Sequence, residues 1–164
     1  MKKYFNYLAL MCFLIFTDVS AQTKTNSSTF FTTDLHLNNG KTIKLTDLKG
    51  RVILLDFWYR GCFPCLKATP DLIKMQEEFK NDLVIIGIND RDVKEDITDY
   101  YAYKKGNYFS TYKTETNISK NLKINTFPTF VIINQKGEIV KTEIGFDKGS
   151  IRKTIKKLIK ENQS

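Results

Sequence analysis

Two residues separate Cys62 from Cys65 in the run Cys62-Phe63-Pro64-Cys65. At that spacing one thiol can attack a disulfide and the other, a helical turn away, can resolve the mixed disulfide. This is the arrangement that thiol–disulfide exchange needs. The apolar run Val52 to Phe57 (VILLDF) precedes the pair, and a helical pattern begins at Pro64 and continues to about Phe79. The pair therefore falls where a strand turns into a helix. A cysteine at a helix N-terminus faces unpaired backbone N–H groups and the positive end of the dipole, which favour thiolate and lower the thiol pKa below ~8.5. Cys62 is accordingly the expected nucleophile and Cys65 the more shielded resolving thiol. A zinc half-site would need two further ligands, yet His36 is the single histidine and Cys12 the single other cysteine. A purely structural disulfide closing so short a loop would add little by loop entropy.

The elements that must hold this pair are legible from patterning. Leu35-His36-Leu37 and Thr42-Ile43-Lys44 alternate about Asn39-Gly40 and predict a hairpin, and Thr46 to Gly50 a single helical turn. Val52–Phe57 and Leu83–Ile88 (LVIIGI) are continuous apolar runs, predicted as strands buried on both faces and joined in parallel through the helix between them. Pro70 falls within that helix and is expected to kink it. Residues 91 to 105 read as a helix, acidic and then Tyr-rich. Phe127–Ile133 and Glu138–Ile144 read as a strand pair about Lys136-Gly137, and Asp147 to Lys160 as a closing helix. The order of elements predicts a three-layer α/β sandwich: a central mixed sheet with helices on both faces, an N-terminal hairpin and an extra helix after the second core strand. Tyr100, Tyr101, Tyr103, Tyr108 and Tyr112 are expected to pack that extra helix.

Of the 164 residues, 41% are hydrophobic and 27% charged, with three Pro, which excludes disordered, collagen-like and disulfide-scaffold chains. Residues 1–21 read as a secretory signal: Lys2 and Lys3, the nine-residue apolar run Leu8 to Phe16, then Val19-Ser20-Ala21. That run is far shorter than the ~20 residues of a membrane-spanning helix, so no stable span is expected after cleavage. Residues 22–29 follow as a polar linker, and one domain is expected over 30–164. The formal charge is +8. Much of it crowds the last helix, where Lys148, Arg152, Lys153, Lys156, Lys157 and Lys160 surround an apolar stripe of Ile151, Ile155, Leu158 and Ile159. No aromatics interleave these cations, so a solvated face is expected and nucleic-acid binding is not.

Four segments carry a family resemblance: FFTTDLHLNNGKTIKLTDLKGRVILLDFWYRGCFPC from Phe30 to Cys65, Pro70, LVIIGIND, and INTFPTFVIINQKGEIV from Ile124 to Val140. The chain resembles the thioredoxin superfamily, and more closely the exported TlpA/ResA-type thiol-disulfide oxidoreductases of the AhpC/TSA-redoxin group. The resemblance implies that Cys62 and Cys65 are the redox pair and that no other cofactor is needed. It implies that Pro128 is a cis-proline against the dithiol, and that Trp58, Phe127, Pro128 and Thr129 contribute to substrate binding. It makes Asp56 the buried acid that takes a proton, through water, from the resolving thiol. Burial alone would raise this carboxyl toward neutrality, which suits proton transfer near pH 7.

The implied activity is reduction of disulfides in periplasmic or secreted proteins, apocytochrome c among the possible substrates, with a membrane thiol donor resetting the dithiol. A disulfide oxidase or isomerase would use the same chemistry. A thiol peroxidase would need Pro and Thr where the chain has Leu55 and Tyr59, and a non-catalytic module would dock through the basic last helix. Two departures from the family stand out. Gly61 replaces the tryptophan that often precedes the first cysteine, and Gly87 falls where thioredoxin places a lysine near its buried acid.

Overall fold

The computed structural model describes residues 31–114 and 118–162. The expected signal 1–21 and linker 22–29 lie outside the described residues. Among the described residues seven strands occur: β1 (Leu35–His36), β2 (Thr42–Ile43), β3 (Val52–Phe57), β4 (Leu83–Ile88), β5 (Phe109–Ser110), β6 (Thr129–Ile133) and β7 (Ile139–Ile144). These residues also hold the α-helices α1 (Phe63–Glu78), α2 (Lys94–Lys104), the short α3 (Ile118–Asn121) and α4 (Lys148–Glu161), and a 3-10 turn over Leu45–Leu48.

Every residue of β3 is buried because this strand lies at the middle of a five-stranded sheet ordered β5-β4-β3-β6-β7. β4 runs parallel to it with Gly87 opposite Asp56, and β6 antiparallel with Phe130 opposite Asp56. The alternation of the strand sends Val52 and Leu54 to one face and Ile53, Leu55 and Phe57 to the other. The first face packs α1, α2 and α4 through Leu72, Tyr101, Ile151 and their neighbours. The second is covered by Leu35 and Leu37, Leu45 of the 3-10 turn and Ile118 of α3. Gln76 clamps α1 to β4: its Nε2 donates to the Leu83 carbonyl at 3.0 Å and its Oε1 accepts the Ile85 N–H at 2.7 Å. A buried amide satisfied at both ends fixes the height of the helix against the sheet.

The hairpin, the parallel β3-α1-β4 unit and the closing strand pair and helix match the expectation. The helix expected over 91–105 begins only at Lys94, because Asn89 Oδ1 accepts the N–H groups of Arg91 and Asp92 and holds this segment in a turn. β6 starts at Thr129 and not at Phe127, since Pro128 has no N–H for the ladder. β5 and α3 were not foreseen, being two and four residues long. Tyr103 is 81% exposed and packs nothing in the core, unlike buried Tyr100, Tyr101 and Tyr108. On α4, Ile151, Ile155 and Leu158 are buried while Ile159 is only partly so. Two of its cations bind α1, Lys148 to Asp71 at 2.8 Å and Arg152 to Glu78. Arg152 holds the Glu78 carboxyl below its usual range. Among the described residues no helix is long and apolar enough to cross a membrane.

Candidate active site

Cys62 is the N-cap of α1, and the Cys65 N–H points at its Sγ from 3.3 Å. Pro64 is the second residue of the helix, in the first turn, where its missing N–H costs nothing. The two cysteines form a disulfide with Cα atoms 5.3 Å apart. They are not equally open: Cys62 is 5% exposed and Cys65 1%. When the bond is cleaved, the helix terminus favours thiolate on Cys62, the sulfur nearer the surface.

The approach to the disulfide is held by the loop after β4. Asp92 Oδ2 accepts the Arg60 N–H at 2.6 Å and an Asn89 amide hydrogen at 2.7 Å, and the Arg60 guanidinium donates to the Asp96 carbonyl at 2.8 Å. Tyr59, whose carbonyl accepts the Cys62 N–H at 3.1 Å, stacks edge-on against Phe127 with centroids 5.4 Å apart. The Arg91 guanidinium lies over both rings, 4.2 Å from Tyr59 and 4.7 Å from Phe127. Phe63, inside the Cys-X-X-Cys loop, is 67% exposed with Lys67 Nζ 4.6 Å from its ring. Beside Phe127 opens a cavity of about 420 Å³, with Asp90, Arg91, Lys120 and Lys123 among its lining.

Phe127–Pro128 is a cis peptide bond. The Pro128 carbonyl is taken by the Gly145 N–H at 2.9 Å, and Thr129 Oγ1 donates to the Thr126 carbonyl at 2.7 Å. Among the described residues the Phe127 N–H and carbonyl make no hydrogen bond, which leaves this backbone edge free for an extended chain. The site residues named from sequence thus separate. Phe127 faces the rim, but Thr129 is buried in the ladder, and Trp58 is 2% exposed with its indole N–H donated inward to Ser110 Oγ at 3.0 Å. Trp58 is therefore a wall of the site, not a surface offered to substrate.

Asp56 follows Val52 and Leu54 on the face that packs α1 and α2, the face carrying Cys65. Full burial pushes its carboxyl up to about 8, the Tyr108 hydroxyl lowering it only in part. In this oxidised structure it is thus a neutral acid at pH 7. Residues that sequence reasoning missed are Asn89, Asp92 and Ser110, which position the loop and Trp58 without touching the sulfurs. Only Asn89 had a signal, an Asx residue closing a strand. Among the described residues no group of His, Cys, Asp or Glu could hold a metal. The redox group is the protein's own cysteine pair.

A sequence model of the family described as Thioredoxin-like matches residues 50–139, a span that holds β3, both cysteines and Pro128. The chain belongs to the thioredoxin-like family. It is 31% identical over 108 residues to the thiol-disulfide oxidoreductase ResA of Bacillus subtilis, covering 65% of this chain and 60% of that protein. It is 30% identical over 113 residues to the sporulation thiol-disulfide oxidoreductase A of the same organism, covering 64% and 68%. The chain spans between 60% and 64% of the length of ResA and two other curated relatives. Among solved structures, the exposed lipoprotein thioredoxin of Streptococcus pneumoniae superposes with a TM-score of 0.66 at 29% identity, over 77% of this chain and 98% of that one. The thioredoxin domain of a thiol-disulfide oxidoreductase from Bacteroides vulgatus gives a TM-score of 0.66 at 26% identity, over 75% and 92%.

Proposed function

We propose that the protein is an exported thiol-disulfide oxidoreductase that reduces disulfides of proteins outside the cytoplasm. The observation that carries this reading is the disulfide at the N-cap of α1, with Cys62 nearer the surface and Cys65 sealed on the side of Asp56. In the reduced protein the Cys62 thiolate attacks one sulfur of the substrate disulfide. A mixed disulfide forms and one substrate thiolate leaves, taking a proton from water. Cys65 gives its proton to the Asp56 carboxylate and attacks Cys62 Sγ; the second substrate thiolate leaves, and the chain carries the Cys62–Cys65 disulfide with Asp56 protonated. That product is the state described above, with the Asp56 carboxyl near 8. Resetting requires a dithiol donor, for which a membrane thiol protein is our proposal. As the donor opens the disulfide, Asp56 returns the proton to Cys65.

The rim suits a polypeptide substrate. Exposed Phe63, the Tyr59–Arg91–Phe127 stack and the free backbone edge at Phe127 offer apolar, cationic and hydrogen-bonding contacts around one sulfur. Periplasmic proteins, apocytochrome c among them, are the substrate class, and the secretory signal read at residues 1–21 supports export. The decisive experiment is trapping. Cys65→Ala, incubated with a disulfide-bonded protein, accumulates a mixed disulfide through Cys62 that mass spectrometry detects, and Cys62→Ala accumulates none. Equal trapping by both variants, or by neither, would sink the proposal.

A further inference from the structure

Three buried side-chain oxygens around the candidate proton carrier lack a hydrogen-bond partner among the described residues: Asp56 Oδ1, Tyr101 Oη and Tyr108 Oη. An unpaired polar atom in a sealed core costs about 1–3 kcal/mol, so three of them in one cluster call for an explanation. Their neighbours supply little else. Opposite Asp56 across the sheet stand Gly87 on β4 and Phe130 on β6, neither with a polar side chain. A Cβ at Gly87 would come within 2.6 Å of Ser110 Oγ and 2.7 Å of Trp58 Nε1, so no longer side chain fits there. Ser110 Oγ is engaged by the Trp58 indole at 3.0 Å and donates to the Thr111 carbonyl at 2.8 Å. Tyr100 Oη is engaged by Thr69 Oγ1 at 2.9 Å. Tyr108, from the segment before β5, acts on Asp56, whose charge in turn acts on Tyr108 and on Tyr100 and Tyr101 of α2; Ser110 also acts on Tyr101, and Arg60 lies beyond Tyr100 at 5.6 Å from its ring. α1 contributes Cys65, here in the disulfide.

We propose that Tyr108, backed by Tyr101, is the positioning residue for Asp56: its hydroxyl swings to donate to the carboxylate each time Asp56 loses its proton, and falls slack when Asp56 is protonated. The geometry fits this cycle. The two rings meet edge to face at 5.1 Å within the buried cluster that packs the Val52 and Leu54 face of β3, the face Asp56 shares by strand alternation. Tyr108 acts on Asp56 as a donor and Tyr101 and Tyr108 act on each other, but none of these contacts reaches full hydrogen-bond geometry in the oxidised state. Tyrosine gives a neutral donor, one that steadies the anion without the fixed positive charge of a lysine. The proton balance is unchanged: Cys65 gives one proton to Asp56 during substrate reduction and regains it during reset, and the tyrosines keep theirs throughout.

This inference rests on the exchange reading above, and its test keeps the two apart. The rate of substrate reduction and the carboxyl carbon chemical shift of Asp56 are both followed against pH in the native protein, Tyr108→Phe, Tyr101→Phe and Asp56→Asn. The expected result is that Asp56→Asn abolishes the inflection. Tyr108→Phe should raise both the inflection and the Asp56 titration by about one pH unit or more, as loss of a hydrogen bond to a charged group requires. Tyr101→Phe should raise them by less. A Tyr108→Phe midpoint unchanged within about 0.2 unit by chemical shift overturns the proposal, whether or not the protein turns over substrate. Phenylalanine fits the same ring space, so a merely structural tyrosine would alter melting temperature alone.

Discussion

At the scale of single residues, Asp56 is the group whose environment departs most from that of an ordinary carboxylic acid, and its departure has a sign that can be checked. Burial holds the carboxyl near 8 in the fold against about 4 in an unfolded chain. The folded protein thus binds this proton more tightly than the unfolded one. The resulting stability is fully present below about pH 4 and drains away as pH rises through about 8. Asp56→Asn has no charge to bury. It should be more stable than the native protein above about pH 5, by a margin that grows with pH to a few kcal/mol near pH 8 at ~1.4 kcal/mol per unit. Urea unfolding of the two oxidised proteins across this range measures it, and a gap independent of pH would mean that Asp56 is not the acid described. The cysteine pair was legible in the sequence because its chemistry follows from residue type and spacing, whereas Pro128 was legible only through the family resemblance. Tyr101 and Tyr108 were read only as packing, since a buried tyrosine hydroxyl and an exposed one look alike in one dimension.

The elements hold the site by close approach as much as by hydrogen bonds. Gly87 is the clearest case, for the absence of its side chain lets the Trp58 indole reach Ser110 beneath the sheet register that joins β3, β4 and β5. Gly87→Ala should drive a methyl into both partners, destabilising the protein by roughly 1–3 kcal/mol and lowering its melting temperature by several degrees. The fluorescence of Trp58, the only tryptophan, should shift at the same time as its indole loses Ser110. A variant as stable as the native protein with unchanged emission would show that the strand can move aside. The long elements were readable because β3 and β4 are unbroken apolar runs and α4 repeats its apolar stripe at helical spacing. β5 was not, since two residues carry no period and its place depends on β4 and on Asn38, whose Oδ1 accepts the Ser110 N–H.

At the scale of the molecule, a sheet covered on both faces offers little surface for chemistry except at the end where β3 gives way to α1 and β6 begins after Pro128. There the residues from three separate stretches of sequence meet: Tyr59 to Cys65, Asn89 to Asp96, and Phe127 with Pro128. Sequence patterning located the first of these and the family resemblance the last; the middle one emerged only from folding, because its hydrogen bonds span some thirty residues. The basic face of α4 is partly spent on ion pairs to α1, which are worth little singly at an exposed surface. The cysteine pair at that end of the sheet is the chemistry of the molecule, and equilibrium redox titration of Cys62–Cys65, followed through Trp58 fluorescence, decides whether it exchanges electrons. One reversible two-electron transition is expected, with a potential near or below about −240 mV, as suits a reductase fed by a dedicated donor. A potential near about −120 mV would make the protein an oxidant, and the absence of any reversible transition would contradict the exchange chemistry itself.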